Sequence, residues 1–310
     1  MIITRTPYRI SFFGGGTDYS VWYEKHGGCV LSSTINKACY VTVRELPPFY
    51  EHRLRVVYSR EESVLHAKDL KNAVVRETLK SFRIDSGYEI HHDGDLPARS
   101  GMGSSSSFIV GLLKAFKGWL TPKLLAAIAT YIERTLMGSM VGDQDQIAAA
   151  YGGFNVIRFP GNEVTPVKEN GIFRKLMLFY TGLQRSSSEV ARTYQFDKKV
   201  LQRMKAMVDE GVQYLETDHD AFGELLHEGW TLKRKLSKSI SNPTIDGYYV
   251  TALQCGAIGG KILGAGGGGF LLLYVPEERQ EEVKDALRLL HVPVKHEPEG
   301  SKVIYKEGSS

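Results

Sequence analysis

The chain has 310 residues, 42% hydrophobic and 24% charged, which is ordinary globular usage with length enough for two packed domains. Its net charge of +4 comes from 39 basic against 35 acidic residues, scattered rather than gathered into a run, which argues against nucleic acid as the main partner. The longest apolar stretch, Ile262 to Val275, is interrupted by five glycines and is too short to cross a bilayer. Met1 to Arg5 lacks the charged and apolar regions of a signal peptide, so a soluble cytoplasmic protein without membrane partners is expected. Cys29, Cys39 and Cys255 are odd in number and lack C-x-x-C spacing, so all three are expected to be buried apolar fillers, not zinc ligands or bridges.

Taken in chain order, Ile2 to Phe13, Cys29 to Arg44 and Leu54 to Ser59 are rich in β-branched or aromatic residues and predict strands. Between Asp69 and Arg83 the apolar spacing becomes helical, and Tyr88 to His92 alternates again as a strand. A loop of Gly and Ser then opens a helix with Phe108, Leu112, Leu113 and Phe116 on one face. Thr121-Pro122 supplies a cap and first-turn proline for a second helix reaching about Arg134, and a third runs from near Gly142 to Gly152. After the strand Phe154 to Phe159, the turn-rich stretch Pro160 to Gly171 marks a boundary between domains at 1–170 and 171–310. The second half predicts a strand Lys175 to Thr181 and long helices over Ser188 to Glu216 and Asp218 to Ser239. A helix opened by Asn242-Pro243 follows, then strands Lys261 to Leu263 and Phe270 to Val275 around a glycine turn, a helix Pro276 to Leu290 and two final strands. Strands and helices mix without regular alternation, which predicts an α+β fold.

The segment Pro97-Ala-Arg-Ser-Gly101-Met102-Gly103-Ser104-Ser105-Ser106-Ser107 carries the strongest chemistry. Its glycines let backbone N–H groups turn inward, its serines add hydroxyls, and the helix starting there points its positive end at the same place, which makes a phosphate cradle. A flexible linker would not run straight into an amphipathic helix. No Walker A loop occurs, and Gly264 to Gly269 matches G-x-G-x-x-G only literally, because a strand follows instead of a helix. That turn is either a close backbone approach to the site or to the other glycine loop, or a plain tight hairpin. Glu133 and Asp145 sit at facing helix ends, where acidic residues are commonly caps, yet one cleft could receive both. Phosphoryl transfer needs one carboxylate for a metal and another for the attacking hydroxyl. Arg9 lies in an apolar strand and needs an anionic partner, for which Asp145 is the candidate. That strand runs into Gly14, Gly15, Gly16, Thr17 and Asp18, a turn suited to a polyhydroxylated ligand.

Together these segments resemble the superfamily of galactokinase, homoserine kinase, mevalonate kinase and phosphomevalonate kinase, through Pro7 to Asp18, Pro97 to Ser106 and Lys261 to Phe270 in order. Within it the chain is similar to the bacterial D-glycero-D-manno-heptose 7-phosphate kinases, through Phe13 to Asp18, Asp143 to Asn155 and Gly259 to Phe270. The resemblance implies a ribosomal-S5-domain-2-like first domain, a ferredoxin-like second one, and ATP with Mg²⁺ as cofactors. It implies transfer to the anomeric hydroxyl of a sugar phosphate on the way to nucleotide-activated heptose, with a homodimer left open. By resemblance Asp145 is catalytic with Arg9 holding it ionised, and Pro97 and Gly101 to Ser106 bind ATP. Ser105 and Glu133 hold the metal, although the run leaves Ser104 open as an alternative to Ser105. Gly14 to Asp18, Gly266 and Gly267 meet the sugar. Galactokinases carry Glu-His where this chain has Gly15-Gly16, which points away from galactose. Other sugar 1-kinases and a catalytically silent sugar sensor are the alternatives; a serine hydrolase is disfavoured by the lack of G-x-S-x-G.

A sugar phosphate requires a second anion site, for which Arg185 in Thr181-Gly-Leu-Gln-Arg-Ser-Ser-Ser188 is the expected residue, whereas Lys233, Arg234 and Lys235 predict a solvated helix face. Arg185→Ala is expected to raise the Michaelis constant for a sugar 7-phosphate, and an unchanged constant in steady-state kinetics would refute that role.

Overall fold

The computed structural model describes residues 1–184 and 187–308. The elements are β1 (Ile2–Phe13), α1 (Ser20–His26), β2 (Gly28–Glu45), β3 (Leu54–Val57), β4 (Glu61–Val64), α2 (Ala73–Ser81), β5 (Tyr88–Gly94) and α3 (Ser104–Phe116). They continue with α4 (Pro122–Tyr131), α5 (Gln144–Tyr151), β6 (Phe154–Phe159), β7 (Glu163–Pro166), β8 (Leu176–Tyr180), α6 (Ser187–Arg192) and α7 (Lys198–Thr217). The chain ends with α8 (His219–Lys235), α9 (Pro243–Gln254), β9 (Gly259–Ile262), β10 (Phe270–Tyr274), α10 (Gln280–Leu287), β11 (Leu290–His291) and β12 (Lys302–Lys306).

The first sheet is ordered β12-β1-β2-β5-β3-β4. The length of β2 lets it take two neighbours on one edge: its first residues, Gly28 to Ser33, pair with β6, and Cys39 to Glu45 pair with β5. The last strand, β12, returns from the second half of the chain to pair with Ile2 to Arg5 of β1. The second sheet, β11-β8-β10-β9, is antiparallel throughout. Helices α3 and α5 pack on β1 and β2, as α7 also does, and α8 lies against β9. Phe222 of α8 packs edge-on against Phe12 and Phe13 at the end of β1, with centroids 5.5 and 5.0 Å apart. The buried apolar residues of both sheets therefore form one continuous core.

Several local expectations change for identifiable reasons. The helix expected over Ser188 to Glu216 is broken between α6 and α7, where the Asp197 side chain accepts the N–H of Val200 and caps a new start. The turn-rich stretch Pro160 to Gly171 contains β7, which has β6 to pair with. The last predicted helix ends at Leu287, after which Leu290 and His291 join β8. Cys255 is only partly buried, unlike Cys29 and Cys39. Lys233 does not belong to the solvated face of α8: it is 6% exposed, while Arg234 alone pairs at the surface with Asp246.

The two glycine turns meet backbone to backbone. Gly264, at φ +63°, would place a Cβ 2.5 Å from the Cα of Gly101, and Gly101, at φ +80°, would place one 2.6 Å from the carbonyl oxygen of Leu263. This resolves the function of the Gly264 turn in favour of contact with the other loop. Gly264→Ala is expected to destabilise the protein by at least about 1 kcal/mol through the left-handed backbone alone, with more from the clash. An unaltered midpoint in urea would show that the turns do not share this space.

Candidate active site

The ends of β1, α3, α5 and α8 converge on a cleft of about 770 Å³. Arg9, 4% exposed, lies at its centre. Its Nε and Nη2 donate to the two carboxylate oxygens of Asp145 at 2.8 and 2.9 Å, and its Nη1 donates to the carbonyl of Gly101 at 2.8 Å. All three nitrogens are thus committed, and one side chain ties β1 to α5 and to the glycine loop. Asp145 occupies the first turn of α5, where the helix dipole favours a carboxylate.

Glu133 stands on a π-helical turn, Ile132–Leu136, that continues α4. It is not a solvated helix-end residue: it is 2% exposed. Ser105 and Ser106 donate to its two oxygens at 2.8 and 2.7 Å, and Gln146 donates to one of them. Burial raises its pKa, with the three hydrogen bonds working in the opposite direction. Ser104 lines the cleft beside them. Gly103, the N-cap of α3, adopts φ +75°, which turns the loop so that the helix start faces Asp145.

Asp18 accepts the N–H of Gly16 at 2.9 Å and the Gln144 side-chain amide at 3.1 Å. Burial, and then the charge of Asp145, push its pKa up to about 6. A side chain at Gly142 would fall 1.8 Å from the Asp18 carboxylate, so that position must be glycine for Asp18 to sit where it does. Gly15 and Gly16 line the cleft, whereas Gly14 and Thr17 are buried behind it, the Thr17 hydroxyl donating to the carbonyls of Gly14 and Cys29. The other expected ligand residues divide similarly. Gly101, Gly103, Ser105 and Ser106 line the cleft; Met102 is buried beneath the loop, and the Pro97 carbonyl accepts the Ser100 hydroxyl. The second glycine turn reaches the cleft through Gly264 and Ala265, while Gly266 and Gly267 pack on Ile240. Arg185 lies outside the described residues.

Several lining residues were given no role at the site from the sequence. Tyr194 occupies the break between α6 and α7 and donates its hydroxyl to the carbonyl of Ala265 at 2.7 Å. Tyr19 stacks edge-on against Tyr194 and Phe196. The Ser11 hydroxyl and the Gln144 amide oxygen are buried without partners among the described residues, and both residues line the cleft. Lys233 and Lys261 enter from the second half of the chain. Two signals were available: the Asp197 cap, which marks the break that frees Tyr194, and the place of Lys261 at the start of the third glycine-rich segment.

The raised pKa of Asp18 has a definite sign in stability. Between about pH 4 and 6 the native state binds more protons at Asp18 than the unfolded chain does, so its contribution declines as pH rises through that window. The stability of the native protein relative to Asp18→Asn is expected to fall by roughly 2–3 kcal/mol between pH 4 and pH 7, measured by denaturant unfolding at both pH values. A pH-independent difference would place the Asp18 pKa near its ordinary value.

Known proteins resemble this chain in sequence and fold over most of its length. The family model for the GHMP kinases N terminal domain matches residues 68–153, and the model for the GHMP kinases C terminal domain matches residues 212–291. Among curated proteins, D-glycero-alpha-D-manno-heptose 7-phosphate kinase of Campylobacter jejuni is 29% identical over 93% of both chains. The bifunctional fucokinase/GDP-fucose pyrophosphorylase of Arabidopsis thaliana is 24% identical over 91% of this chain and 30% of that protein. The crystal structure of a D-glycero-D-manno-heptose 1-phosphate kinase from Bacteroides thetaiotaomicron superposes with a TM-score of 0.80 at 26% identity, covering 99% of this chain and all of that one. With both family models matched in order and the cradle, carboxylates and arginine gathered in one cleft, the chain belongs to the GHMP kinases.

Proposed function

We propose that this ATP-dependent phosphotransferase acts on the anomeric hydroxyl of a D-glycero-D-manno-heptose carrying a 7-phosphate, giving the 1,7-bisphosphate. The observation that carries a transfer reaction is the disposition of two carboxylates in one cleft: Asp145 clamped by Arg9, and Glu133 bonded to the serines of the phosphate loop. The heptose is supported by similarity to the Campylobacter and Bacteroides proteins, whose names agree on the sugar and differ on which phosphate it carries.

In this reading the amides of Gly101 to Ser104 and the start of α3 bind the ATP phosphates. Glu133 and a hydroxyl of Ser105 or Ser106 form an all-oxygen donor set suited to Mg²⁺, with remaining ligands from water and phosphate. When bound, the ion supplies neutralisation of the phosphate charge. Asp145 faces the acceptor hydroxyl. Because both its oxygens already accept from Arg9, its role is chiefly to orient that hydroxyl and complement its developing charge, with proton acceptance secondary. Asp18, Gln144 and Ser11 hold sugar hydroxyls.

Asp145→Asn is expected to lower kcat by about a hundredfold or more, while the Kd for ATP, measured by calorimetry, stays near the native value; full turnover would remove the basis of the mechanism. A transfer assay over heptose 7-phosphate, free heptose, fucose and galactose is expected to rank the first highest. A preference for fucose would assign the cleft to a fucose 1-kinase, the reading that likeness to the Arabidopsis protein favours.

A further inference from the structure

Beside the exposed Arg60 and Arg99, the mechanism leaves two buried cations of the cleft without a task. Lys233, near the end of α8, and Lys261, in β9, both line it, and Lys261 is only 5% exposed. The Nζ of Lys233 donates to the carbonyls of Ile262 at 2.9 Å and Gly264 at 2.5 Å, and the Nζ of Lys261 donates to the carbonyl of Phe12 at 2.8 Å. An ammonium has three donors, so each retains at least one N–H beyond these bonds.

Neither lysine is bonded to a carboxylate among the described residues; Asp18 acts on both only through its charge at longer range. An ammonium buried without an anion is costly, and an apolar side chain of similar volume would serve packing better. Their protonation is accordingly suppressed. Burial and then the charge of Arg9 push Lys261 down to about 7, and burial, Lys261 and Arg9 push Lys233 well down. The charge of Arg9 is already answered by the Asp145 carboxylate, and three of its five N–H donors are used on Asp145 and Gly101.

Lys233 reaches the turn at Gly264, which adjoins Gly101, while Lys261 lies on the side of the proposed acceptor. The carbonyl that Lys261 meets, Phe12, lies just before the Gly14 to Asp18 turn, and the charges acting on both lysines are Arg9 and Asp18. Glu133 and the serines of the loop lie at the start of α3 and answer one another.

We propose that Lys233 and Lys261 together form the anion subsite for the phosphate group of the acceptor, making the enzyme selective for a phosphorylated sugar over the free one. The inference rests on the sugar-kinase reading of the cleft. A phosphate dianion accepts the remaining N–H donors, supplies the missing counter-charge and draws protons onto both amines as it binds.

The test compares kcat/KM for heptose 7-phosphate and free heptose in the native enzyme, Lys233→Met, Lys261→Met and Arg185→Ala, with the Kd for ATP measured in each. Both methionine variants are expected to lower the preference for the phosphorylated sugar by about thirtyfold or more, while ATP affinity stays within about threefold, well short of the loss expected for a buried charge partner. Because these variants leave backbone carbonyls without donors and can lose stability, the native protein is also titrated with inorganic phosphate at pH 8 in buffers of different ionisation heat. Net proton uptake on binding is expected. The subsite is overturned if the preference is unmoved in both variants, if it collapses only in Arg185→Ala, if ATP affinity is lost instead, or if phosphate binds without proton uptake. Failure of the native enzyme to phosphorylate any sugar overturns the kinase-acceptor reading and the subsite with it; transfer with an unmoved preference overturns the subsite alone.

Discussion

A guanidinium buried within a strand must be answered by anions and carbonyls, and Arg9 imposes that demand on the groups around it. Its bidentate contact orients α5 through Asp145, and its third nitrogen anchors the phosphate loop at Gly101. Gly101 in turn lies against Gly264 with no room for a side chain on either, so the second half of the chain is registered to the same point. Movement of any one of these groups would disturb the others, which is why the cleft can be held to the tolerance that phosphoryl transfer requires.

The cleft is built around balanced but unequal charges. Asp145 is answered fully by Arg9, and Glu133 by hydroxyls and an amide, whereas Asp18, Lys233 and Lys261 remain incompletely compensated. In the proposed reaction the groups with firm partners are those whose geometry must stay constant. The groups without firm partners are those that a charged, hydroxyl-rich ligand can complete. Unsatisfied Ser11 and Gln144 follow the same division, since a buried polar atom that costs stability in the free protein becomes a contact when the ligand arrives.

Much of the frame was legible because its signals are local. β1 begins and ends where the β-branched and aromatic run does, and α3 starts within the Gly/Ser loop. The caps at Thr121 and Asn242 accept the N–H groups of Leu124 and Ile245 as their positions predict. What escaped depends on partners distant in sequence. β7 exists because β6 offers it an edge, and the final strand β12, although expected, finds its partner in β1 at the other end of the chain. Tyr194 reaches the cleft only because α6 and α7 are separate, and its hydroxyl is placed by Ala265, far along the chain.

Lys233 shows the limit most clearly. In the sequence it is one of three adjacent basic residues on a helix, a pattern that ordinarily faces water; folded, it is buried against Ile262 and Gly264 while Arg234 beside it faces Asp246. The sequence by itself determined the glycine and serine loop that opens α3 and the mixture of strands and helices, and it singled out Arg9, Glu133 and Asp145 as candidates, because glycine conformation, helix capping and side-chain periodicity act over a few residues. Only the tertiary structure decided which of those groups are buried together, which serine hydroxyls meet Glu133, and which lysines enter the cleft, because burial and ion pairing are settled by surfaces that the chain brings together from its opposite ends.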